Sequence, residues 1–469
     1  MVNILKRRSI DATKGPILSQ FLLFAIPIAI GGIIQTLFNS ADMIVLGNFA
    51  SSVQVASVGA TTVIIGLLVN SCIGLSGGAQ VVLSQSFGEG NREKIQKATN
   101  TTLWISITLG VLVTILAMSF SEKLLILTKC PEECFADAAL YMKIYFASTP
   151  AIMIYNYGAA IIRSSGDSQR PLYYLIACGL LNVALNFILC IILPRKVVAV
   201  AVATFASQVL GAILVIVNLI RTDSPCKLSL KGFLPDAKTC GRILFLGIPN
   251  ALNSSLYSIS NLQIQSAINS YGPPATAGNS SAANIEGLAF CFNAAFGTTA
   301  LTFAGQNYGA KKPERIKEVA RKGALISAIV GFVLGYSCLL LGPLALKAFL
   351  PKDPIAVQYG MVRFKYLMTV FFLQSVNSTL SSILNSFGYS ALTMGNSVVT
   401  VLGFRVIWMT FVYPKFMTFE GLFLCYTVSW SVSFLVTVLM FAIIYPRNLK
   451  KLKRSRDAEE PATAESVAE

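Results

Sequence analysis

Histidine is missing altogether from this chain of 469 residues, so the side chain that ordinarily titrates near neutral pH is unavailable. Charge is scarce as well. Asp, Glu, Lys and Arg make up 12% of the chain, against about 25% in soluble domains, while 54% is hydrophobic and the mean hydropathy is +0.67. This composition excludes a soluble globular protein. Ten-residue alternating stretches are also lacking, which argues against an outer-membrane barrel. The glycines of "GDSQRP" and "GEGN" come without the lysine and strand-to-helix context of a phosphate loop. With no nucleotide site and no metal quartet, neither an enzyme nor a resident cofactor is expected. No cleavable signal is evident: the first apolar run is too long for a signal core, and "MVNILKRRSIDATKGP" reads as a retained basic leader. The ten cysteines are mostly isolated within apolar runs and read as small apolar residues. "KCPEEC" leaves an external Cys130–Cys134 bridge open, although three intervening residues make a strained loop.

What the chain does have is apolar runs of spanning length, about 20 residues each. They fall at 17–47, 55–83, 97–120, 139–162, 171–194, 198–220, 242–270, 277–306, 321–349, 358–386, 391–413 and 418–445. An all-α polytopic membrane protein with twelve transmembrane helices is therefore expected, embedded in the lipid bilayer. Lys and Arg concentrate on one side. The leader, the tail and the connections after even-numbered spans carry 26 of the 37, whereas "GNFASSVQVAS" and "NSYGPPATAGNSS" after odd-numbered spans carry none. Both termini are thus expected in the cytoplasm. The net charge of +16 is then a topology signal, and no nucleic-acid partner is expected.

The sequence also repeats itself. "FAIPIAIGGIIQTLFNSADMIVLG" resembles "LGIPNALNSSLYSISNLQIQSAI", "LSQSFGEGNREKI" resembles "AGQNYGAKKPERI", and "IIRSSGDS" resembles "ILNSFGYS". Pro27 pairs with Pro249 and Gly166 with Gly388 at one constant offset, the mark of two copies of a six-helix unit. Six is even, so the repeats are parallel, an arrangement that supports alternating access around a central cavity. The expected order is a leader (1–16), an N-lobe (17–220), a basic linker (221–241), a C-lobe (242–445) and a cytoplasmic tail (446–469).

These fragments, "FNSADMIVLG", "SQSFGEGN", "GQNYGAKK" and "IIRSSGDSQRPLYY", closely resemble the multidrug and toxic compound extrusion (MATE) family of bacterial secondary transporters, over roughly 15–445. The resemblance implies a V-shaped pair of six-helix bundles. It further implies a bacterial inner-membrane protein, expected to be a monomer, that exports organic cations in exchange for Na⁺ or H⁺.

A census of acids narrows the site. Of 21 Asp and Glu, nineteen fall in the leader, tail, loops or span ends, and only Asp42 and Glu286 lie well within spans. A charge there is costly, which makes each a functional hypothesis; a helix-end acid facing water or an interhelical hydrogen bond is the alternative. Asn182 and Asn186 are four apart and share a helix face. With Asn156 in span 4 and Thr204 in span 6 they supply the uncharged oxygens that a hard cation prefers, or else they are packing glue between helices. In relatives with a described N-lobe ion site the matching positions are Asp, Asn, an Asn-x-x-x-Asp pair and Thr. This chain matches at Asp42, Asn156, Asn182 and Thr204 and departs at Asn186, where the pattern has Asp. One carboxylate instead of two weakens the case for Na⁺ at Asp42, Asn182 and Thr204 and raises that for protonation of Asp42.

The second repeat is less explicit. Where some relatives carry a glutamate, eight residues after the proline, this chain has Tyr257. Arg405 reads as a lone cation within span 11, and pairing with Glu286 or snorkelling to the interface are both open. Lipid-linked oligosaccharide flippases share the bilobed fold and form the alternative reading, but they call for a cavity rich in Arg and Lys.

Overall fold

The computed structural model describes residues 9–128, 130–229, 233–351 and 353–468. Helices account for the architecture: α1 (Ile17–Phe49), α2 (Ser52–Glu89), α3 (Arg92–Leu127), α4 (Glu132–Ala147), α5 (Thr149–Ser164), α6 (Gln169–Ile192) and α7 (Lys196–Arg221) form the first repeat. The second runs through α8 (Ala237–Asn269), α9 (Pro273–Gly309), α10 (Pro313–Phe349), α11 (Pro354–Leu367), α12 (Phe371–Ser386), α13 (Ser390–Ser397), α14 (Phe404–Ile407), α15 (Tyr413–Phe416) and α16 (Phe419–Ala468). No strand occurs among the described residues.

Ten helical stretches among the described residues are long and apolar enough to cross a membrane. Two expected spans are not among them. Span 139–162 is divided between α4 and α5, because Pro150 takes the first turn of α5, where its missing N–H leaves no bond unmade. Span 242–270 falls on α8, whose Asn, Ser and Gln residues lower its hydropathy. The stretch Ser390–Phe416 is continuous, but π-helical segments, Val398–Gly403 and Trp408–Val412, flank α14 on both sides.

Helix starts and stops follow local chemistry. Asn91 caps α3 by accepting from Lys94 N at 3.1 Å. Gly166 and Gly388, matched by the repeat, both take left-handed backbone (φ 93° and 99°). A side chain at Gly166 is doubly refused, because the Ile10 carbonyl occupies the place of a Cβ.

By contacts the chain divides into two units: Ile30–Ala251 belongs to the first, and Asp11–Ala29 with the chain from Leu252 onward to the second. The division crosses α1 and α8 two residues beyond Pro27 and Pro249, which interrupt the helical hydrogen-bond ladder. Each unit therefore includes the opening half of the other repeat's first helix. The glutamines of the repeated motifs hold these exchanged segments. In the second unit Gln306 Oε1 accepts from Ala12 N at 3.1 Å, and Asn307 donates to Ala12 O at 3.0 Å. In the first, Arg242 donates to Gln85.

Each unit has its own core. In the first, Val45, Leu46, Val58, Tyr141, Cys190 and Val200 pack together. In the second, Ile264, Leu346, Phe364, Phe371, Phe423 and Trp430 do so. Between helices surrounded by lipid the attraction is close packing more than hydrophobic exclusion, and small residues supply it: Gly278 of α9 lies against the Ala356 carbonyl of α11.

Candidate functional site

A close approach of α1 to α6 helps to position Asp42. Phe38 and Asp42, four residues apart on α1, share a face, as do Gly179, Asn182 and Asn186 on α6. The Phe38 ring fills the space that a Cβ on Gly179 would take, so α1 and α6 touch there and Asp42 comes level with Asn186. Asn186 Nδ2 donates to Asp42 Oδ1 at 2.6 Å and to Asn182 Oδ1 at 3.1 Å. Asn182 Nδ2 reaches Thr204 Oγ1 of α7 at 3.4 Å. Four of the five expected residues are thus joined in one line. Asn156 is not: its amide donates to Ile152 O, one turn back on its own helix.

Two features of this cluster bear on chemistry. Asn186 is fully buried, yet its Oδ1 is without a partner among the described residues. An orphaned buried acceptor is costly and suits a proton donor or a cation. Asp42 makes no ion pair among the described residues, so its charge meets only neutral groups. Tyr141 and Tyr145 of α4 pack at the core that holds Val45 and Leu46, the turn after Asp42. Neither is an expected site residue, although their spacing of four is a sequence signal that they share a helix face.

In the second unit Glu286 is paired, and its partner is Arg363 of α11, not Arg405. Arg363 Nε lies 2.7 Å from Glu286 Oε2, with side chains only 12% and 6% exposed, and Arg363 Nη1 donates to Asn279 Oδ1 at 2.7 Å. Arg363 is inconspicuous in the sequence because it stands near the start of its apolar run, where a cation reads as interfacial. Arg405 is therefore not the only buried cation. It does not snorkel either: it is 1% exposed, its Cζ lies 4.0 Å from the Tyr426 ring centroid, and its donors go to Ser260, Asn261 and Ser429. Tyr257 is half-buried on α8, one turn before Ser260.

Cys130 and Cys134 are both free thiols, and Cys134 Sγ faces Val53 O at 3.6 Å. Among the described residues no group of three Cys, Asp or Glu gathers as a metal site. A polar cavity of about 300 Å³ opens elsewhere, lined by Asp167, Arg170, Asn218 and Thr222, and includes none of the residues around Asp42.

Fold and site together define a multi-pass, two-repeat helical membrane protein whose first unit holds a carboxylate, Asp42, that makes no ion pair among the described residues and is bonded to the Asn186 amide. The sequence profile of the MatE family matches residues 27–188 and 249–411, each match opening on one of the paired prolines, and the chain belongs to that family. Among proteins it resembles, "Probable multidrug resistance protein YoeA" of Bacillus subtilis is 27% identical over 329 residues, 69% of this chain and 71% of that protein. "Probable multidrug resistance protein YpnP" of the same organism is 25% identical over 381 residues, 81% and 85% respectively. A MATE crystal structure in complex with MaL6 superposes with a TM-score of 0.87 over 96% of this chain and 100% of that one, at 20% identity, which shows a shared fold.

Proposed function

We propose that this protein is a secondary active multidrug efflux transporter that exports organic cations in exchange for H⁺ or Na⁺. One observation carries the reading. Of the two acids well inside spans, Glu286 is already paired with Arg363, whereas Asp42 makes no ion pair among the described residues and is bonded to the Asn186 amide. A bare carboxylate within a bilayer is costly, and taking up a proton, a Na⁺ or a cationic substrate removes that cost. Asn186 serves both states. Its amide nitrogen donates to a carboxylate, and its unpartnered Oδ1 can accept from a carboxylic acid or face a cation. Asn182 and Thr204 keep that amide in line; with Asp42 and Asn186 Oδ1 they are the oxygens that would hold Na⁺.

The relatives named as multidrug resistance proteins support the substrate class. On this reading the protein works as a monomer in the bacterial cytoplasmic membrane, with both termini inside and no cofactor. Ethidium transport in proteoliposomes tests it. A pH gradient alone or a Na⁺ gradient alone should drive accumulation, and failure of both would overturn the proposal. The flippase alternative draws on Arg405, but one uncompensated cation falls short of what a diphosphate requires.

A further inference from the structure

In the second unit Arg405 carries a charge that no carboxylate among the described residues neutralises. Around Tyr426 stand two guanidiniums, Arg405 at 4.0 Å and Arg363 at 6.0 Å from the ring centroid, against the single carboxylate of Glu286. That carboxylate is committed to Arg363. Arg405 forms no ion pair among the described residues; its partners are the neutral oxygens of Ser260 at 3.2 Å, Asn261 at 3.0 Å and Ser429 at 3.4 Å. An arginine cannot shed its proton to escape burial, so one positive charge remains.

One of those neutral oxygens stands out. Asn261 Oδ1 accepts from Arg405 Nη1 and also from the Tyr426 hydroxyl at 3.1 Å, so two donors converge on one oxygen. Ser260 and Ser429 are wholly buried, whereas Asn261 is exposed. The wide π-helical turns on either side of α14 add a second observation, because such segments are rare and gather at functional sites.

We propose that Arg405 and the Tyr426 hydroxyl form a binding site for a singly charged anionic group, a halide or a carboxylate, which displaces the Asn261 amide oxygen. The guanidinium binds an anion more strongly than the neutral amide oxygen it now faces, because both partners of the new bond are charged. The uncompensated charge is single, so a monoanion balances it and a diphosphate does not. The inference goes beyond cation export: it gives the second unit a polarity opposite to that of Asp42 and concerns residues outside the Asp42 cluster.

The test is direct binding by the purified full-length protein. Sodium bromide and sodium acetate are titrated at ionic strength held constant with sodium sulfate, and melting temperature and tryptophan emission are read, Trp430 lying 6.1 Å from Tyr426 between ring centroids. A saturable response is expected, retained in Arg405→Lys and weakened about tenfold or more in Arg405→Gln. Response to both anions supports a carboxylate, such as a transported compound carries; response to bromide alone supports a free halide. No saturable response in the wild type, or one unaltered by Arg405→Gln, overturns the proposal. If Arg405→Gln does not fold, Asn261→Ala decides. Removing the displaced oxygen should tighten binding, and unchanged or weaker binding is contrary. Because binding is read without transport, this outcome is separable from failure of the export reading.

Discussion

Asn186 Nδ2 sits 2.6 Å from Asp42 Oδ1, while the carbonyl oxygen of the same amide is without a partner among the described residues. The donor end is matched to a charged carboxylate and the acceptor end is left over. Such an amide can follow a change in the state of Asp42 without losing all its bonds, which is what ion coupling asks of a neighbour.

The closeness of α1 and α6 at Phe38 and Gly179 predicts a steric mutant. Gly179→Ala forces a methyl group into the Phe38 ring and should cost about 1–3 kcal/mol through overpacking. Thermal unfolding in detergent should show the loss, and Phe38→Ala in the same chain should recover part of it. Equal losses with and without Phe38→Ala would disprove the contact.

Restoring a second carboxylate should change ion preference. Asn186→Asp places two negative groups where one stood, and a cation is held more strongly by two. Transport by this variant should depend more steeply on Na⁺ than the wild type does. Indifference to Na⁺ across the millimolar range would show that the cluster is not an ion site.

The buried pair Glu286–Arg363 predicts non-additivity. Glu286→Gln alone leaves a guanidinium uncompensated and should destabilise by about 3–5 kcal/mol. Combining Glu286→Leu with Arg363→Met removes both charges and should restore most of that stability. A double mutant as unstable as the two single losses combined would deny the pairing.

Orientation is open to labelling. In a variant cleared of its ten native cysteines, Ser270→Cys should react with an impermeant maleimide in whole cells, and Lys317→Cys only after permeabilisation. The opposite pattern would invert the topology.

Much of this is legible in the sequence, for identifiable reasons. Hydropathy and the offset between Pro27 and Pro249 set out the repeats because bilayer thickness and duplication leave long-period signals. Asp42, Asn182 and Asn186 are visible because a polar side chain inside an apolar run contrasts with everything around it, and a spacing of one helical turn places the two asparagines on one face. Three things are hidden. Phe38 meeting Gly179 is a tertiary contact with no local signature. Arg363 lies where an apolar run begins, and only packing shows it buried. The exchange of the first halves of α1 and α8 between units depends on long-range contacts such as Ala12 with Gln306, which a basic stretch ahead of the first span does not announce.

The central claim is that Asp42 couples the gradient to export of every substrate, and one measurement tests it most directly. Asp42→Asn fixes the neutral state while keeping a hydrogen-bonding side chain beside Asn186, so the protein should insert and fold. Efflux of two chemically unlike cations, ethidium and a tetraphenylphosphonium, is measured at wild-type expression level. Gradient-driven export of both should fall by about tenfold or more, as expected when a step common to all substrates is lost. Retained export of either cation would contradict the claim and remove Asp42 from the mechanism.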